Sequence, residues 1–131
     1  MLRRMIRQGR TWVVVTVEDV RALALTLPRT TEHLVHDRVK FRVGAIVYVG
    51  MSADELTMGF GFNKEERAAL VESRPETFFL PRESDLRFHW VCVRLDKLDH
   101  DEMTELVLDA WRMVVPKRVA AAHLATLGRP V

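Results

Sequence analysis

Two groups of cations in this chain have the spacing needed to contact an anion, and the first lies near the C-terminus. Lys117 and Arg118 follow Pro116 directly, inside the stretch WRMVVPKRVAAAHLA, which otherwise has the pattern of one helix. Because proline is well tolerated in the first turn of a helix, we predict that two helices meet here and that the second runs from Pro116 to Leu124. The N–H groups of a helix start attract phosphate. Alternatively, the two cations only complement the dipole at the end of the preceding helix.

The second group of cations alternates along a predicted strand. Arg38, Lys40 and Arg42 share one side of this segment, and the residues between them are apolar, which is the two-residue period of a half-buried strand. Such a row could grip phosphates, which dominate nonspecific affinity for nucleic acid. Charges on a solvent-facing strand also prevent pairing between sheet edges. Both interpretations stay open.

A third candidate region is FHWVCVRL, residues 88 to 95, which is apolar on both alternating faces and therefore predicts a central strand. Trp90 in this strand fits a buried core position, and it could instead stack on an unpaired base. Arg94 would add a cation to the same side as Trp90. Cys92, the only cysteine, is expected to be a small core residue rather than a reactive thiolate.

Metal chemistry and catalysis have less support in the sequence. Asp101, Glu105 and Asp109 recur every four residues, which places three oxygen ligands of the kind that hard cations prefer on one face of a predicted helix. The same stripe is the ordinary solvent face of an amphipathic helix. His33 and His36 lie in a predicted loop without a third ligand at diagnostic spacing. No nucleotide-binding loop, zinc motif or nucleophile motif occurs, so we expect no enzyme and no cofactor.

The elements that would position these residues follow from periodicity and caps. Thr16 with Asp19, Asn63 with Glu66, and Asp99 with Glu102 each have capping-box spacing. The predicted helices run from 17 to 27, from 64 to 73, and from residue 100 along an apolar stripe that includes Trp111. The predicted strands cover 38 to 43, 45 to 49, 56 to 62 and 88 to 95.

This order of elements predicts an α+β fold, a two-layer sandwich with an antiparallel sheet and helices on one face. The other sheet face would then be open. The candidates to line it are the basic strand residues, the small Thr57, Gly59 and Gly61, and Trp90 and Arg94.

Composition limits the possible classes of protein. A chain of 131 residues, 48% hydrophobic and 29% charged, is typical of one globular domain. The longest uncharged stretch, residues 43 to 53, is too short for the roughly 20 apolar residues of a membrane span. Four arginines fall within the first ten residues and the whole chain carries +2, so residues 11 to 131 carry −2. We therefore expect a cytoplasmic protein without a domain-wide basic surface.

Five stretches give the chain a resemblance to a known family. They are VEDVRALALTLPRTTEH, VKFRVGAIVYV, FNKEERAALVESRPETFF, HWVCVRLD and WRMVVPKRVAAAHL, in the order and spacing of the MmcQ/YjbR family. The resemblance implies a fold similar to the bacterial frataxin homologue CyaY and a DNA-binding-like role. Family members often carry a lysine where this chain has Ala45 and Ile46. Residues 1 to 15 lie outside the resemblance as a basic arm, and residues 16 to 131 form the single predicted domain.

Three hypotheses of function result. The first is weak binding of DNA or another nucleic acid, mainly through phosphates, by the seven residues Lys117, Arg118, Arg38, Lys40, Arg42, Trp90 and Arg94. The second is a metal- or protein-binding adaptor that uses the acidic helix face of Asp101, Glu105 and Asp109. The third is self-association, as a homodimer, through Met- and Phe-rich faces.

Overall fold

The structure is a computed structural model that describes residues 4–7 and 10–129. After an N-terminal hairpin, the chain forms one helix, four strands, a second helix, two more strands and two final helices. The strands within this part are β1 (Arg4–Arg7), β2 (Arg10–Val13), β3 (Thr30–Val35), β4 (Arg38–Val43), β5 (Ile46–Met51), β6 (Thr57–Gly61), β7 (Phe78–Phe79) and β8 (Trp90–Arg94). The α-helices are α1 (Val17–Ala24), α2 (Arg67–Ser73), α3 (His100–Arg112) and α4 (Lys117–Thr126).

Six strands form one antiparallel sheet in the order β3-β4-β5-β6-β8-β7, and β1 pairs with β2 in a separate hairpin. The prediction of an α+β fold with an antiparallel sheet is therefore confirmed. The meander has four strands rather than three, because the predicted loop around His33 is β3. His36 and Asp37 form its two-residue turn with φ of 52° and 62°. Positive φ at both central residues matches the twist of a tight hairpin.

The helices pack on one face of the sheet, where the core lies. α3 lies against β5 and β6, α1 packs against α3, and partly buried side chains of α2 and α4 complete the cluster. Trp111 is fully buried, as its place in the apolar stripe predicted, and its indole Nε1 donates a hydrogen bond to the carbonyl of Pro28 at 2.9 Å. Val39 and Phe41 of β4 also face this core, so the basic residues between them face the other way.

The helix ends test the capping predictions. The boxes at Thr16 and Asp99 both form. The box at Asn63 does not: its Oδ1 accepts from the N–H of Glu65 at 2.8 Å, and α2 begins only at Arg67. The physical reason is that the N–H of Glu66 donates to the Asn63 carbonyl at 3.0 Å, which closes a tighter turn before the helix, while the N–H of Lys64 donates to His89 Nδ1 at 3.0 Å. α1 ends at Ala24, three residues before the predicted Leu27.

The proline junction has the predicted form, shifted by one residue. Pro116 is the N-cap of α4, and Lys117 is the first helical residue. α4 continues to Thr126, two residues beyond the predicted end. In the part of the chain that the structure describes, no helix is both long and apolar enough to cross a bilayer.

Candidate nucleic-acid interface

Five of the seven predicted site residues lie on the sheet face opposite the helices, which we call the open face. In β4 these are Arg38, Lys40 and Arg42, which alternate with the buried Val39 and Phe41. In β8 they are Trp90 and Arg94, which alternate with the buried Val91 and Val93. Strand register thus places the cations of β4 and the indole ring of β8 on the same face of the sheet.

The cations of the open face have no carboxylate partner within residues 4–7 and 10–129. Among the described residues, no ion pair includes any of the three β4 cations or Arg94. The Nε of Arg42 is buried without a hydrogen-bond acceptor. The stem of Lys40 lies over Gly50, where a Cβ would be 3.1 Å from both Cδ and Nζ of the lysine. Burial, together with the charge of Arg38, lowers the pKa of Lys40. None of these four cations is therefore neutralised in an ion pair within the described part of the chain.

Trp90 lies against Gly59 of β6 rather than in the helix-side core. A Cβ on Gly59 would be 2.5 Å from Nε1 and 2.7 Å from Cε2 of the indole, so only glycine permits this close approach. The side chain of Trp90 remains partly exposed. Burial in the core, which the apolar neighbours of Trp90 favoured, is therefore wrong, and the reason is that Trp90 faces away from Val91 and Val93. Its place on the open face is what stacking on a base requires.

Arg94 and Cys92 occupy the rest of β8 on the same face. The guanidinium of Arg94 lies 4.5 Å from the centroid of the Phe79 ring in β7, in cation–π geometry. Cys92 is partly buried on the open face, not in the core. Burial raises the pKa of its thiol to about 11, with a smaller contribution from the negative charge of Asp85. The prediction that Cys92 is not a reactive thiolate agrees with this raised pKa.

Residues 82–89, which we call the covering segment, pass over part of the open face. Arg67 of α2 holds the segment by donating hydrogen bonds to the carbonyls of Leu86, Phe88 and Trp90, at 2.5, 2.9 and 3.2 Å. Asp85 forms an ion pair with Arg82 at 3.0 Å and is close enough to Lys40 to influence its pKa. No pattern in the sequence predicts the position of this segment.

A cavity of about 630 Å³ opens beside the covering segment. The last residues that pair between β5 and β6 at this end are Val49 and Phe60, and beyond them the two strands diverge. Tyr48 and Gly61 line the resulting gap. Other parts of the lining come from the open face, the covering segment and the end of α3, and include Lys40, Ile46, Arg82, Trp90 and Met113. Burial raises the pKa of Tyr48 to about 12, although a hydrogen bond with the Thr30 hydroxyl opposes the shift.

The remaining two predicted site residues are elsewhere. Lys117 and Arg118 are exposed in the first turn of α4, and neither lines the cavity. No hydrogen bond or ion pair between described side chains joins them to the open face. The structure therefore presents the two groups of cations as separate surfaces.

The acidic helix face gives no metal cluster. Asp101, Glu105 and Asp109 are exposed along α3, and Glu105 pairs with Arg129 at 2.6 Å. Over residues 4–7 and 10–129, no group of three or more His, Cys, Asp or Glu side chains is close enough to hold an ion. His33, which the sequence placed in a loop, is on β3, where its Nε2 hydrogen-bonds to the Thr31 hydroxyl at 3.0 Å.

Comparison with known proteins places the chain in a family. The family model described as YjbR matches residues 25–113, about two thirds of the sequence. The chain belongs to the YjbR family. The matched span contains every open-face residue of this YjbR-family protein and ends before Lys117. A search of the curated proteins finds no significant match.

Among solved structures, this YjbR-family chain is similar to the Deinococcus radiodurans protein DR2400, whose crystal structure is described as a DUF419 domain. The two sequences are 25% identical, the TM-score is 0.68, and the match covers 88% of this chain and 89% of the other. The likeness to CyaY stays a prediction, because the matching structure is described by its own domain family.

Proposed function

We propose that the open face of the sheet binds single-stranded nucleic acid weakly, mainly through phosphates. The observation that carries this proposal is the row of Arg38, Lys40 and Arg42, which has no carboxylate partner among the described residues, on the same face as a tryptophan that lies against Gly59. A positive groove with an aromatic platform is the usual arrangement for single strands, because every base has a flat face that can stack. The role is one of binding, not catalysis.

Weak affinity follows from the charge distribution. Residues 11 to 131 carry −2, so attraction is confined to the local row of cations. Each phosphate that is neutralised on a single strand contributes about −0.7 to the slope of log affinity against log salt. Three contacts give a slope of about −2. Raising salt from about 50 to about 200 mM should then weaken binding roughly twentyfold.

The test is fluorescence anisotropy of a labelled single-stranded oligonucleotide with the full chain. Arg38→Gln/Arg42→Gln removes two of the three contacts, so the slope should fall to about −0.7. Lys97→Gln/Arg112→Gln removes the same charge from two exposed positions outside the open-face strands, one just before α3 and one at its last residue, and serves as the matched control. A duplex of the same length should bind no more tightly than the single strand, since stacking on Trp90 needs an unpaired base.

Two further variants separate the other cations. Replacing Arg3, Arg4, Arg7 and Arg10 by Gln measures the contribution of the N-terminal arm, and Lys117→Gln/Arg118→Gln measures that of the α4 start. The proposal is refuted if Arg38→Gln/Arg42→Gln keeps the wild-type slope while the arm variant loses all binding. A drop confined to Lys117→Gln/Arg118→Gln would move the phosphate contact from the sheet to the start of α4.

A further inference from the structure

The cavity between β5 and β6 has the size of a small-ligand site. Its volume of about 630 Å³ lies within the roughly 300–1,000 Å³ typical of small-molecule pockets. Phosphates on the open face alone would need no such depth. The cavity reaches from Lys40 and Trp90 through the gap beside Gly61 to Met113 at the end of α3. A ligand that contacts the open face could therefore place part of its body in this gap.

The charges of the lining favour an anion. Lys40 has no ion-pair partner among the described residues, and the one carboxylate that lines the cavity there, Asp85, is paired with Arg82. The formal charge of these three groups sums to +1. The ammonium of Lys40 is partly buried, which lowers its pKa, and a bound anion at this position would favour its charged form.

The apolar part of the lining favours a flat ring. The indole of Trp90 packs closely against Gly59, so its ring does not have to be ordered when a ligand binds. Phe88 and Ile46 also line the cavity and leave 49% and 57% of their surface exposed. A planar heteroaromatic group would cover this apolar surface while an attached phosphate reached Lys40.

We propose that the cavity binds a nucleoside monophosphate unit, with the base against Trp90 and Phe88 and the phosphate at Lys40. This inference rests on the proposed function, because Lys40 and Trp90 belong to the open face as well. A free mononucleotide and one unit of a single strand present the same chemistry, so the experiment must separate these two sources.

Calorimetric titration of the full chain with 5′-AMP and with the tetranucleotide (dA)4 tests the inference. Lys40→Met keeps the stem over Gly50 and removes the charge. It should lower the affinity for both ligands about tenfold. Ile46→Glu places a negative charge in the lining and should have a similar effect. Leu56→Glu is the matched control, because Leu56 is 59% exposed in the turn at the far end of the β5–β6 hairpin. Ribose 5-phosphate, which has no base to stack, should bind about tenfold more weakly than AMP.

The outcomes distinguish the sources and the two proposals. A dissociation constant for AMP within about threefold of that for (dA)4 indicates that the ligand is a free nucleotide. A dissociation constant for (dA)4 at least about tenfold lower than that for AMP indicates a strand. If (dA)4 binds with steep salt dependence but Ile46→Glu weakens the binding of neither ligand, the cavity inference is overturned and the proposed function survives. If neither ligand binds, both proposals fail. Thermal unfolding of each variant shows that a lost signal does not come from a lost fold.

Discussion

The contact between Gly59 and Trp90 makes a sharp prediction for Gly59→Ala. The new Cβ would lie 2.5 Å from the indole Nε1, closer than real atoms approach, so the ring must move by about 1 Å to reach ordinary contact near 3.5 Å. Gly61→Ala provides the matched control on the same strand. Its Cβ would lie 3.6 Å from the Met113 sulfur, an ordinary van der Waals distance.

The magnitude follows from two opposing contributions. Forcing an extra methyl against a packed side chain costs about 1–3 kcal/mol. Replacing glycine by alanine inside a strand stabilises the fold by about 0.5–1 kcal/mol, because the unfolded chain then has less conformational entropy to lose. Gly59→Ala should therefore lower the free energy of unfolding by about 0.5–2 kcal/mol, whereas Gly61→Ala should leave it unchanged or slightly raised. With a urea slope of about 2 kcal/mol per molar, the midpoint for Gly59→Ala falls by about 0.3–1 M.

A double-mutant cycle isolates the contact. Urea unfolding is measured for the wild type, Gly59→Ala, Trp90→Ala and the double variant. In the Trp90→Ala background the methyl has no indole to displace, so Gly59→Ala should become neutral or stabilising, with a coupling of about 1–3 kcal/mol. If Gly59→Ala destabilises the protein equally with and without the indole, or no more than Gly61→Ala does, Trp90 does not lie on Gly59 and the argument for a stacking platform is refuted.

Two titrations test the buried groups. Burial holds the pKa of Tyr48 near 12 in the folded state, above its ordinary value of 10. Between pH 10 and 12 the unfolded chain therefore loses the Tyr48 proton before the folded protein does. The free energy of unfolding should fall over this interval by up to about 3 kcal/mol and should not change for this reason below pH 10. The ultraviolet absorbance of the chain's single tyrosine follows the titration, and Tyr48→Phe should lack this part of the pH dependence; a midpoint near pH 10 in the folded protein contradicts it. Burial raises the pKa of Cys92 to about 11, so at pH 8 about one thiol in a thousand is ionised and alkylation by iodoacetamide should be on the order of a hundredfold slower than for an ordinary cysteine. The rate should rise about tenfold per pH unit, and a fast rate that is flat with pH would show that the thiol is exposed.

Local sequence patterns were sufficient for much of the fold. The two-residue period of β4 identified which residues face the helices and which face away, because strand geometry alone fixes that alternation. The capping boxes at Thr16 and Asp99 were found for a similar reason, since donor and acceptor lie three residues apart in sequence. The open face was predicted from these signals before any strand register was known.

The errors arose where distant residues decide the outcome. At Asn63 the predicted capping box is replaced by a tighter turn, in which Glu66 donates to the Asn63 carbonyl and Lys64 donates its N–H to His89, 25 residues away. β3 was missed because its sequence TTEHLV carries polar residues on both faces and its turn uses positive φ at His36 and Asp37 without a glycine. The cavity had no sequence signal at all, since its walls come from strands, a helix end and the covering segment.

The three hydrogen bonds of Arg67 influence the local unfolding of the covering segment. One guanidinium supplies bonds to the carbonyls of Leu86, Phe88 and Trp90, so these contacts are broken together when that side chain leaves. Amide groups of the covering segment should consequently exchange with solvent as one cooperative unit, at a lower free energy than those of the central strands. A single residue change in α2 can thus alter how often the cavity is uncovered while the sheet beneath it stays intact.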